Sequence, residues 1–190
     1  MAERLTAISK RKILSDIVQS SICMKAHCDT WWAFVHDGRL STEYKKAMLN
    51  NSDFIRTTEQ THYTAAFVYF AHLFDKRKDS SSIPNYLLLI KTEVETDYYH
   101  DLEMQFENIR SKAQPILNIR HKLIAHIDIQ LSEHEVFKEM GMTWNEIIKV
   151  LHDTAKFVAL LAGSELGLLG IPRDGRLADG VLKVLKKLAQ

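Results

Sequence analysis

No glycine or proline occurs before Gly38, and that absence constrains the fold more than any other feature of the chain. Uninterrupted helix-forming residues open the sequence, and Leu5, Ile8, Ile13, Leu14, Ile17, Val18 and Ile22 recur near helical spacing. The pattern predicts one long helix over residues 3–36, heavily aromatic at its end through Trp31, Trp32, Phe34 and Val35, with Gly38 suited to the turn that follows. The remaining breakers are few, with 7 Gly and 3 Pro in 190 residues. An all-α fold follows, an up-and-down helical bundle with a long N-terminal helix and a C-terminal amphipathic tail helix.

Local signals place the other helices. Asn51, Ser52 and Asp53 are cap candidates for a helix running through "IRTTEQTHYTAAFVYFAHLFD". After the polar "KRKDSSS", Ser82 caps a short helix with Pro84 in its first turn, where the missing N–H costs least. Residues 98–127 read as a long helix that Pro115 should kink or divide. "SEHE" (132–135) and "TWNE" (143–146) both fit the capping box, in which a hydroxyl and a carboxylate each satisfy an orphan backbone N–H. They start a short helix ending at Gly141 and a longer one running to about Ala162. We read residues 1–165 as the bundle and 166–190 as a linker and tail helix of the same domain. Ala178, Val181, Leu185 and Leu188 form a packing seam on that basic tail, which favours protein contact over RNA or a membrane surface.

Composition excludes some functions. A net charge of +1 does not advertise nucleic-acid binding by the whole chain, so any such binding rests on a local patch. Cys23 and Cys28 match no zinc or redox spacing and point to different sides of one helix, which suits a reduced, cytoplasmic setting. "MAERLTAISKRK" lacks the apolar core of a signal peptide, and no apolar run is long enough to span a membrane. No cofactor is expected. Nor is a metal: His121, His126 and Asp128 do not face one ion from a regular helix, and Cys23 with His27 and Cys28 makes no stronger set.

The stretch "NIRHKLIAHID" (118–128) carries the functional signal. On a helical wheel with Ile116 at zero, Ile127, Leu123, Ile119, Ile124 and Leu117 form an apolar arc, and Arg120 falls near 40°, inside it. A charge there needs a carboxylate, carbonyls or an anionic ligand. Asp75 and Glu59 are candidate internal partners. Alternatively the guanidinium waits for a phosphate, whose oxygens match its planar fork. His126, near 280°, could then take the proton of an RNA 2′-OH at neutral pH. Arg120 and His126 are about 120° and about 9 Å apart along one straight helix. To meet on one phosphate, either the backbone deforms or two copies of the helix face each other.

These residues resemble the signature of the HEPN superfamily (higher eukaryotes and prokaryotes nucleotide-binding): Arg, four to six residues, then His, with a polar residue after the Arg. Arg120, His121 and His126 match those positions, and "R-x-K-L-I-A-H-x-D" looks like the abortive-infection U-type (AbiU-like) branch. The helical layout over about 50–162 is similar too. The resemblance implies a homodimer with two motifs across a cleft and a metal-independent endoribonuclease of a toxin or phage-defence system. Arg120 and His126 would be its catalytic pair and His121 a supporting group, with Asp128, Asp75 and Glu59 behind them. An antitoxin or defence partner protein belongs to that picture. Where one subgroup carries a modified Tyr two residues after the His, Asp128 stands here, which speaks against that subgroup's partnership. Other members are non-catalytic RNA- or protein-binding modules.

Overall fold

A computed structural model of the chain describes residues 2–35, 45–121, 141–163 and 176–188. Every regular element among them is a helix: α1 (Ala2–Val35), α2 (Lys45–Asn50), α3 (Ser52–Leu73), α4 (Ile83–Ile90), α5 (Thr96–Ile119), α6 (Trp144–Ala162) and α7 (Arg176–Leu188). No helix among the described residues is long and apolar enough to cross a membrane.

α1 is the spine, packing most extensively on α3 and next on α6. Its apolar stripe places Leu14, Ile17, Val18, Met24, Cys28 and Trp31 in the core, opposite Tyr63, Phe67 and Phe70 of α3 and Leu151, Ala155 and Val158 of α6. Phe34 meets Ile55, and His27 meets His62 further down, so α1 and α3 are antiparallel. Trp31 meets Trp144 while Asp29 meets His152, so α6 also runs against α1. Phe106 of α5 stacks between Phe74, just past the end of α3, and Phe157, late in α6. The four long helices therefore alternate in direction as an up-and-down bundle. α4 closes the lower end: Ser82 is extended, Pro84 occupies the first turn, and Ile83, Tyr86, Leu87 and Ile90 are buried at helical spacing.

Several sequence expectations need correction or refinement. A short helix, α2, precedes Asn51 where none was expected. Pro115 does not divide α5, which stays helical from Thr96 to Ile119. Burial of Ala113, Ile116 and Ile119 on either side of the proline holds the helix together. The Thr143 capping box forms as expected: Glu146 N–H donates to Thr143 Oγ1 at 3.3 Å, and Thr143 N–H donates to Glu146 Oε2 at 2.7 Å. Gly141 has φ of 63°, a left-handed conformation that favours glycine. "SEHE" lies outside the described residues. In the tail, Val181 and Leu185 pack on Ala33, Phe34 and Ile55 of their own chain, so these two residues of the seam are spent within the subunit.

Candidate functional site

Phe106 lies near the end of α3, and α5 carries the chain from there towards the opposite end of the bundle. Arg120 is roughly 21 Å beyond Phe106 at 1.5 Å per residue, at the level where α6 begins. There the helix changes pitch. Arg120 and His121 form a π-helical turn after Ile119, and the Arg120 N–H donates to the carbonyls of both Ile116 and Leu117. Single π turns inside α-helices recur at functional sites because they re-aim the side chains that follow.

Arg120 is partly buried and His121 is exposed. The Arg120 Nε is buried and has no hydrogen-bond partner among the described residues. Placement at a helix C-terminus suits its charge, since the terminal carbonyls carry the negative end of the dipole. That placement leaves the N–H itself unanswered. An unsatisfied buried donor costs about 1–3 kcal/mol, so an oxyanion presented to this guanidinium recovers a cost the fold already bears. His126 and Asp128 lie outside the described residues.

Neither carboxylate expected beside Arg120 pairs with it. Asp75 is taken by Arg77, whose backbone N–H and Nε each donate at 2.9 Å and whose terminal nitrogen sits at 2.8 Å. The hydrogen bonds from Arg77 hold the Asp75 carboxyl below its usual range. Ser80 and Asn85 then fasten the Arg77 carbonyl, at 2.8 and 2.6 Å, so Asp75 organises its own loop. Glu59 is partly buried on α3, and burial pushes its carboxyl up. Beside it, the Thr58 and Thr61 hydroxyls donate back to the carbonyls of Phe54 and Thr57 at 2.7 and 2.8 Å. That strip is the outer face of α3.

An aromatic cap closes the motif end of the bundle. Trp144 meets Trp31 edge-on with centroids 4.8 Å apart, and Tyr63 meets Trp144 at 6.1 Å. Trp31 is buried, whereas Trp32 and Trp144 keep part of their surface in solvent.

Two further polar clusters escaped sequence reasoning. In the first, the Lys25 ammonium donates to Asp29 Oδ2, and His152 Nε2 lies 3.0 Å from Asp29 Oδ1. Burial alone would raise the Asp29 carboxyl, but hydrogen bonds from His152 and Lys25, with their charges, outweigh it and hold it low. Beside them the Cys28 thiol is pushed up to about 12, chiefly by burial. In the second cluster His27 and His62 face each other, Nδ1 to Nδ1, at 2.8 Å. Burial lowers both imidazoles, and His62 is lowered further by His27. One signal was legible: Lys25 and Asp29 stand four apart inside the apolar stripe of α1. Their partner on α6 was not, because no local rule links residues that far apart in sequence.

Comparison with known families gives one result: a family model described as HEPN_AbiU2 (AbiU2) matches residues 11–163. No curated protein and no solved structure matches the chain.

Proposed function

The chain belongs to the AbiU2 family of HEPN proteins, and from that premise we propose that it is a metal-independent endoribonuclease of a toxin or phage-defence system, working as a homodimer. The reading assigns phosphate binding to Arg120, proton transfer to His126 and a supporting polar contact to His121. In the reaction, neutral His126 takes the proton of an RNA 2′-OH. The 2′ oxygen attacks phosphorus, the bond to the 5′ oxygen breaks, and the departing oxygen is protonated. A 2′,3′-cyclic phosphate and a 5′-hydroxyl result. Arg120 stabilises the charge that builds on the phosphoryl oxygens in between. A second copy would bring its own motif to the same cleft.

The observation that carries this reading is the Arg120 Nε, buried and without a hydrogen-bond partner. Neither Asp75 nor Glu59 answers it, and a phosphate oxygen would. The π turn and the exposed His121 beside it support the same reading.

The test is cleavage of a mixed RNA substrate with chelator present, with dimerisation followed by light scattering. Arg120→Ala and His126→Ala should each lower the rate by about 10²–10⁴-fold, the range of a lost charge-stabilising or proton-transfer group. Undiminished cleavage by a folded His126→Ala protein removes His126 from the mechanism. RNA binding without cleavage by the wild type would assign the chain to the non-catalytic, RNA-binding kind of HEPN module instead.

A further inference from the structure

We propose that Cys28 and Asp29 of α1 and His152 of α6 form a binding site for one divalent transition-metal ion of the zinc type, joining the two helices behind the motif end. The site owes nothing to the ribonuclease reading and stands apart from it: His152 is roughly 12 Å along α6 from Trp144 at 1.5 Å per residue.

Geometry is the first reason. The Cys28 Sγ, one Asp29 carboxylate oxygen and one His152 ring nitrogen all lie within 4.8 Å of one another. Asp29 Oδ1 and His152 Nε2 are 3.0 Å apart. An ion held at about 2.0–2.2 Å from N and O and about 2.3 Å from S spreads tetrahedral ligands to roughly 3.3–3.7 Å. To admit it, Asp29 and His152 open by a few tenths of an ångström, and any ligand atom as far as 4.8 Å from another draws in by about an ångström.

The donor set is the second reason. One thiolate, one carboxylate and one imidazole form the borderline-soft mixture that suits zinc-like ions and not magnesium or calcium. Lys25 holds Asp29 Oδ2, so the carboxylate is already oriented with Oδ1 turned towards His152. Such an outer contact fixes a ligating group before the ion arrives. His152 is partly exposed, with 35% of its side chain accessible, which gives the ion a way in and leaves the fourth position to water. Cys28 is only 1% exposed, so its sulfur would face the ion from the dry side. The other facing pair, His27 and His62, has no third donor in reach and forms no such group among the described residues.

Binding requires two proton movements. The Cys28 S–H bond breaks as the S–metal bond forms, and that proton leaves to solvent. At a pH where the His152 ring is neutral, it gives up its Nε2 proton and takes one at Nδ1, with no net change. One proton is thus released per ion bound. The Lys25 ammonium opposes the incoming charge, while the new thiolate and Asp29 offset it.

The experiment uses the full chain, stripped with chelator and titrated with Co²⁺ alone, then with Zn²⁺ in competition. One equivalent of Co²⁺ should give a thiolate-to-cobalt charge-transfer band in the near ultraviolet, release one proton, and be displaced by Zn²⁺. Cys28→Ser should abolish the band, and His152→Gln should weaken binding by at least about tenfold. His62→Ala should leave both unchanged. Helical circular dichroism of each stripped variant confirms that it is folded, and Zn²⁺ should raise the Tm of the wild type but not of Cys28→Ser. No band in the wild type, or a band unchanged in Cys28→Ser, overturns the proposal. RNA cleavage is not a readout here, so this proposal and the ribonuclease reading fail separately.

Discussion

Lys25 and Arg120 both sit at least partly inside this bundle, and the chain treats them differently. Lys25, on the waist of α1, is closed off within its own subunit: Asp29 takes its charge, and His152 takes the other oxygen of Asp29. Arg120, at the end of α5, is left with a buried N–H that nothing accepts. A buried charge meant to hold a fold needs its counter-charge in the same chain, because an unpaired one destabilises that fold. A charge meant for a ligand cannot have its partner built in, since an internal carboxylate would compete with the incoming phosphate. The lysine that meets Asp29 thus reads as structure, and the arginine with its unanswered Nε as function.

The comparison can be broken by measuring stability at both places with chelator present. Asp29→Ala removes the carboxylate that meets the Lys25 ammonium, whose side chain is only 7% exposed, and should cost about 3–5 kcal/mol by urea unfolding. A cost near zero would mean that Lys25 escapes to water and that the waist is no closed network. Arg120→Met should do the reverse. It keeps the apolar stem, removes an unsatisfied donor, and should leave stability unchanged or raise it by about 1 kcal/mol while cleavage is lost. A large loss of stability in Arg120→Met would show that the guanidinium is a structural part after all.

The smallest effect sharpens the contrast through pH. The Asp29 carboxyl is held below its ordinary value when folded. Its contribution is therefore complete above about pH 3.9, the unfolded value, and is lost as pH falls through the lower folded value. Acid unfolding followed by circular dichroism should show this dependence in the wild type and a shallower one in Asp29→Asn. Arg120→Met should follow the wild-type curve, because a guanidinium does not titrate in that range.

Much of the architecture was legible because its signals are local. The glycine-free opening gave α1, "TWNE" gave the start of α6, and Ser82 with Pro84 gave α4. Spacing on the wheel put Arg120 on the apolar face of its helix, and the Arg–His spacing led to the right family. The misses share a cause. Asp75 and Glu59 were considered for Arg120 because they are acidic and on neighbouring elements, but side-chain pairing depends on reach and direction. Asp75 found Arg77 two residues away instead.

By itself, then, the sequence determined the long helices, the Thr143 cap, the apolar stripes and the motif, because each depends on residues within a few turns of one another. The tertiary structure alone decided which charges meet. It set His152 of α6 against Asp29 of α1 across 123 positions of sequence, turned the tail seam onto Phe34 and Ile55, and left the Arg120 Nε without a partner. Pairing across helices depends on packing register, which is fixed by the summed fit of the whole core and by no single segment of it.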